Sequence, residues 1–134
     1  SYMLNEPNPH FEKDYVRLQK KHHNQHYKLS GCEDYATAEK FDTIVMMAVI
    51  SHIRMKSEAI VEKIDALLNP GGHVVIETNN SKRNLGVFDL CEKRYEKVIA
   101  KPSYGGLMRR LKIDYRDVLI YRKAPAEAPV ALAA

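Results

Sequence analysis

Apolar and polar residues follow each other along this chain with a spacing that changes from segment to segment. Tyr2-Met3-Leu4 is a short apolar run closed by Asn5-Glu6-Pro7-Asn8-Pro9, which predicts a strand and a tight exit. Asn8 before Pro9 is a good helix opening, since Asn caps free N–H groups and proline fits the first turn. Phe11, Tyr15 and Leu18 then fall at i, i+4, i+7 and place one apolar stripe on an otherwise charged helix predicted to reach about His26. Tyr27–Ser30 reads as a second strand, with Gly31-Cys32-Glu33-Asp34 as its polar exit.

The strongest segment follows. Phe41-Asp42 leads into the unbroken apolar run Thr43–Ile50, the pattern of a strand buried on both faces rather than one with a wet face. From Ser57 a helix puts Ile60, Val61, Ile64, Leu67 and Leu68 on one face, with Glu58, Glu62, Lys63 and Asp65 on the other. Asn69-Pro70-Gly71-Gly72 ends it, and His73–Thr78 is another buried strand. Strand, helix, strand with short connections is a parallel βαβ unit. Beyond it, Ser81 is placed to cap a helix carrying Leu85, Phe88 and Tyr95. Val98–Ala100 and Val118–Tyr121 read as two last strands joined by a basic loop around Gly105-Gly106, and residues 124–134 as an Ala/Pro-rich disordered tail. The organisation expected is one α/β domain over residues 1–123 and that tail.

The 134 residues suffice for one domain with its own core. No apolar run approaches the roughly 20 residues of a membrane span, so no membrane role is expected. Two cysteines, Cys32 and Cys91, cannot form a disulfide framework and lack metal-ligand spacing, which points to a reducing, cytoplasmic compartment. The net charge of +4 is unevenly spread: residues 1–92 hold 11 Lys and Arg against 13 Asp and Glu, whereas residues 93–123 hold 10 against 3. A basic C-terminal third is either a solvated surface or a face for phosphates, RNA among them. His22, His23 and His26 fall at i, i+3 and i, i+4 on the predicted helix, but no accompanying carboxylate motif makes them a metal site; none is expected.

Phe41–Ile53, the helix ending Leu67-Leu68-Asn69-Pro70-Gly71-Gly72 and the Val/Ile strand behind it resemble the class I S-adenosylmethionine-dependent methyltransferases. In that family an "FD-x-I/V" strand is followed by "V-I/L-x-H-I/L", a helix ending "L-x-P-G-G", and the next strand. Each piece is common alone; the ordered set over residues 41–78 is specific. Tyr2–Glu6 is similar to the family's second strand with its terminal acid, and Tyr27–Asp34 to its third. The resemblance implies a Rossmann-like, three-layer αβα fold with a mostly parallel sheet, truncated or reduced relative to the full family fold. It also implies S-adenosylmethionine as cofactor. Glu6 would accept the ribose hydroxyl protons, because such ligands lie across the carboxyl ends of parallel strands. Cys32 and Glu33 would pass the adenine, although Gly31 stands where the family usually has Asp. Met47 and Ala48 would line the methionine end. His52 is the candidate general base, since histidine titrates near neutral pH. Asn79 and Tyr104 would border the methyl acceptor.

The family's "G-x-G-x-G" loop is absent: the glycines stand at 31, 71, 72, 86, 105 and 106. In the family that loop follows a first strand lying between the second and fourth. Three resolutions are open. The chain is the C-terminal part of a longer enzyme; or Ser1–Asn5 takes the central slot; or an oligomer or second chain supplies the strand. The leading expectation is methyl transfer to a small-molecule acceptor. The alternative is an inactive methyltransferase-like subunit that contacts RNA through residues 93–123.

Overall fold

The computed structural model describes residues 2–79, 81–104 and 116–126, and the chain divides into two compact units, Ser1–Thr37 and Ala38–Ala134. The expected loop around Gly105-Gly106 and most of the expected tail lie outside the described residues.

In the first unit, strand β1 (Tyr2–Asn5) pairs in parallel with β2 (Gln25–Lys28), Tyr2 opposite Gln25 and Asn5 opposite Lys28. Between them Asn8 opens a 3-10 turn, Pro9–Phe11, its side chain accepting the His10 N–H at 3.0 Å with proline next in line. Helix α1 (Glu12–Lys21) follows. Tyr15 on α1 stacks on Tyr27 of β2 with ring centres 6.0 Å apart, while Phe11, 47% exposed, reaches Tyr15 from outside the helix. The helix therefore stops at Lys21 rather than His26. His22 turns extended at φ −131, ψ 95, and pairing with β1 claims the chain from Gln25 onward. The three histidines consequently do not share a helix face, and among the described residues no group of side chains could hold a metal ion.

The second unit holds the βαβ motif. Strand β3 (Phe41–Met47) pairs in parallel with β4 (Leu68–Asn79), and helix α2 (Ser57–Leu67) connects them. Helix α3 (Lys82–Arg94), β5 (Glu96–Tyr104) and β6 (Arg116–Arg122) complete it. Sheet order is β3-β4-β6-β5, with β6 antiparallel to both neighbours, so three strands run one way and one the other. This is a mostly parallel, Rossmann-like α/β arrangement. In the first unit β1 and β2 form a two-stranded sheet.

Ile60, Val61 and Ile64 of α2 and Val87, Phe88 and Cys91 of α3 are buried, as are Met46, Val74, Ile76 and Tyr121 on one face of the sheet. Tyr95 closes α3 and bonds Asp65 of α2 at 3.2 Å. Lys123 reaches the same helix end, its Nζ donating to the carbonyls of Asp65 (2.7 Å) and Leu68 (3.3 Å), groups a helix terminus leaves without partners. Two expectations are corrected here. Strand β3 is not buried on both faces: Val45 is 60% exposed, because successive strand residues face opposite ways and the buried side chains of α2 and α3 accompany the face of Met46, Val74 and Ile76. On α3, Leu85 points outward at 48% exposure, and Asn84, Val87, Phe88 and Cys91 form the buried stripe instead. Ser81 caps this helix as expected, accepting the Asn84 N–H at 3.4 Å.

Candidate functional site

Parallel strands end together, and their carboxyl ends carry the backbone groups and loops from which α/β proteins build sites. In the first unit β1 ends at Asn5, and Glu6 is the next residue. Its half-buried carboxylate accepts the Asn8 N–H at 2.9 Å through Oε1, while its own N–H bonds Lys28 O at 3.2 Å. One carboxylate oxygen is thus fixed and the head is aimed by backbone at both ends of the turn. Burial first, then the charge of Glu6, pushes the phenol of Tyr15 upward, so Tyr15 stays a neutral hydroxyl beside that carboxylate.

After β2, Asp34 and Tyr35 donate to the Gly31 carbonyl at 3.2 and 3.1 Å, closing a turn over Cys32 and Glu33, both half-buried. A β-carbon at Gly31 would stand 2.6 Å from Glu33 Oε2. The Glu33 carboxylate therefore occupies the space that a side chain at 31 would fill. The glycine is accompanied by an acid two residues on.

In the second unit β3 ends at Met47, 46% exposed, and Ala48 has φ +55, the one non-glycine residue in the left-handed region among those described. An L-residue there costs about 1–2 kcal/mol, so something must hold it. Its N–H donates to Glu77 O on β4 at 3.2 Å, and Ile50 and Ile53 anchor the chain beyond it at 1% and 5% exposure. His52 lies in the 3-10 turn Ile50–His52, its backbone N–H bonded to Val49 O and its imidazole exposed.

Glu77 is the residue that sequence reading did not single out. It is a buried acid on the strand face opposite the core, and its Oε2 pairs with Arg116 NH1 of β6 at 3.4 Å, the two side chains 11% and 31% exposed. Its sequence signal was weak, an acid inside a Val/Ile strand, and Arg116 looked like one more charge of a basic segment. Register sets the two expected acceptor residues on the strands that flank β6. Arg116 lies opposite Asn79 on one side and Tyr104 on the other. Met47, Glu77, Val118 and Lys101 form the adjoining row across four strands.

The methyltransferase domain family matches residues 2–111 of this chain. Among solved structures, the N-methyltransferase NodS from Bradyrhizobium japonicum WM9, in complex with S-adenosyl-L-homocysteine, superposes with a TM-score of 0.72 at 17% identity, over 90% of this chain and 65% of NodS. TehB from Haemophilus influenzae gives 0.68 at 17% identity, over 90% and 49%. The 1,6-didemethyltoxoflavin-N1-methyltransferase of Burkholderia thailandensis, with 1,6-didemethyltoxoflavin and S-adenosylhomocysteine bound, gives 0.66 at 12%, over 92% and 71%. The chain thus spans about two thirds of NodS and half of TehB. No curated protein matches it in sequence.

Proposed function

The chain belongs to the methyltransferase domain family, and on that premise we propose that it transfers a methyl group from S-adenosylmethionine to a small-molecule acceptor. The observation that carries the reading is Glu6, a half-buried carboxylate at the carboxyl end of a parallel strand with one oxygen pinned by the Asn8 N–H. When bound, the sulfonium supplies an activated methyl group: the acceptor's nucleophile bonds to the methyl carbon, the carbon–sulfur pair stays on sulfur, and the acceptor loses a proton. Glu6 would accept from the ribose hydroxyls, and Cys32 and Glu33 would border the adenine. Met47 and the backbone at Ala48 would line the methionine end. The strained Ala48 is held before ligand arrives, which favours positioning over rearrangement. Asn79 and Tyr104 would border the acceptor, and His52 is the candidate general base. Cytoplasmic residence fits two cysteines that are not joined in a disulfide. No described helix is long and apolar enough to cross a membrane.

Calorimetric titration of S-adenosylhomocysteine into the 134-residue chain tests the reading. Micromolar binding that falls at least tenfold in Glu6→Gln is expected. A folded chain that ignores millimolar ligand would refute autonomous cofactor binding. Among the described residues strand β3 is paired on one edge only, and at the other the proposed second chain or oligomer would add its strand.

The alternative, an inactive subunit contacting RNA, draws on the basic residues 93–123. Lys97, Arg116, Arg122 and Lys123 of that stretch are each ion-paired with a carboxylate of this chain, which leaves less charge for phosphate. Steeply salt-dependent RNA binding without S-adenosylhomocysteine binding would favour it.

A further inference from the structure

Helices α2 and α3 run side by side in the same direction. Strands β4 and β5 are both antiparallel to β6, hence parallel to each other, and β3 is parallel to β4, so each helix returns along the sheet the same way. The helices touch near their starts, where a β-carbon on Gly86 would stand 3.1 Å from Ser57 Oγ. At their ends the Tyr95 hydroxyl meets Asp65 at 3.2 Å. Val61 and Leu90 therefore stand at one level, with Lys93 and Arg94 within a turn of Glu62.

Between the helices lies a cleft of about 370 Å³, lined by Glu58, Val61 and Glu62 of α2 and by Leu90, Lys93 and Arg94 of α3. Each trio has the i, i+3, i+4 spacing that puts its side chains on one helix face. All six belong to the helices, so the cleft opens away from the sheet. Buried Val61 and half-buried Leu90 form an apolar floor, and the four charged residues are exposed. One wall is thus acidic and the other basic. Among the described residues none of these four takes part in an ion pair, whereas Asp65, the next acid of α2, is engaged by Tyr95 and Lys123. Two acids and two bases cancel, so the cleft does not favour a uniformly charged partner such as a nucleic acid. It fits a surface that sets a basic wall against its acidic one and an acidic wall against its basic one. This chain carries such a surface: the same cleft, turned about a two-fold axis parallel to the helices.

We infer that the α2–α3 cleft is the interface of a reversible homodimer. The two-fold sets α2 against α3 of the second copy, giving four parallel helices with Val61 and Leu90 of both copies at the centre. Glu58 and Glu62 of each copy then face Lys93 and Arg94 of the other, and charges flanking an apolar seam choose partner and orientation in helical bundles. A two-fold axis across the helices would instead put acid on acid, so the charge pattern selects one orientation. With a narrow apolar floor and charged walls, the dimer is weak and salt-sensitive. The inference does not rest on the methyltransferase reading, because the cleft contains no residue assigned to cofactor or acceptor.

Sedimentation velocity of the full chain from about 5 to about 500 µM, at about 0.05 and 0.5 M sodium chloride, tests this. A monomer–dimer equilibrium is expected, weakened about tenfold or more at the higher salt. Glu58→Lys with Glu62→Lys makes both walls basic, and Lys93→Glu with Arg94→Glu makes both acidic; each double variant alone is monomeric throughout. Mixed in equal amounts the two associate again, because each supplies the wall the other lacks. Glu58→Gln with Glu62→Gln removes charge with little change of shape, keeps the wild-type circular dichroism spectrum and weakens association about fivefold. Three results would overturn the inference. They are a wild-type chain that stays monomeric, a dimer indifferent to these substitutions (the mark of association through another surface, such as the edge of β3), and a mixture that does not associate.

Discussion

Gly71 and Gly72 are adjacent, yet the structure requires each to be glycine for a different reason, and the two reasons predict opposite rankings of the same substitutions. Gly71 has φ +77 with nothing within 4 Å of where a β-carbon would stand. Its N–H reaches the carbonyls of Lys123 and Ala124 at 3.2 and 3.1 Å, so the conformation is held by the residues that follow β6. Alanine there meets only left-handed strain, about 1–2 kcal/mol, partly offset by a less flexible unfolded chain. Asparagine tolerates that region better and costs less than alanine. Gly72 has ordinary φ but no room: a β-carbon would stand 2.9 Å from Asn69 O, 3.0 Å from Asp42 O and 3.0 Å from Leu68 Cδ1. Two of those atoms are backbone, so alanine forces the strands apart at a cost of about 2–3 kcal/mol, and asparagine costs more. Urea unfolding followed by far-UV circular dichroism measures both. With a slope near 1.5 kcal/mol/M, Gly72→Ala lowers the midpoint by roughly 1.5 M and Gly71→Ala by well under 1 M. The ranking is the sharper result. Asparagine is milder than alanine at 71 and harsher at 72; the same order at both positions would refute the argument.

Other perturbations separate the structure from simpler readings. Phe88→Ala costs about 3–5 kcal/mol, whereas Leu85→Ala on the same helix stays within about 0.5 kcal/mol, because only the first is buried; comparable urea midpoints for the two would contradict the assigned face of α3. Lys123→Met removes the donor that closes α2 onto Asp65 O and Leu68 O and costs about 1.5–3 kcal/mol in the same assay, an unchanged midpoint counting against that role. Burial pushes the Cys91 thiol up to about 12 from 9.0 and drives the Tyr95 and Tyr121 phenols upward too. The folded state then keeps protons that the unfolded state releases, so stability is full below pH 9 and is lost as pH rises toward 12. Unfolding midpoints compared at about pH 8 and about pH 10.5 should differ by at least 1 kcal/mol, and Cys91→Ala should flatten the slope. Near neutral pH a thiol reagent labels half-buried Cys32 in the native chain, while Cys91 reacts only on unfolding; equal rates would show that α3 does not seal it.

Local signals carried the sequence a long way wherever one residue's partners lie close by in the chain. The helical period of Ile60, Val61 and Ile64, the Pro70-Gly71-Gly72 stop, and the Val/Ile strand behind it determine the βαβ unit, since period and turn chemistry are properties of consecutive residues. Asn8-Pro9 and Ser81 determine helix starts for the same reason, each cap being satisfied within three residues. The place of Glu6 directly after a strand was legible because the apolar run Tyr2–Leu4 and the Pro7 and Pro9 behind it are consecutive in the chain.

Tertiary structure decided whatever depends on a neighbour far away in sequence. Val45 is exposed and Met46 buried in one apolar run, because which face is covered depends on where α2 and α3 pack, and α2 starts only at Ser57, well beyond the strand's end at Met47. Helix α1 gave up His22–His26 because pairing of Gln25 with Tyr2 outweighed the weak helical preference of the histidine segment. Glu77 and Arg116 are 39 residues apart and unremarkable as letters; only the placing of β6 between β4 and β5 sets them together, with Asn79 and Tyr104 in register on either side. Charge sign is written in the sequence, but a pair exists only where folding excludes the water that would otherwise screen it.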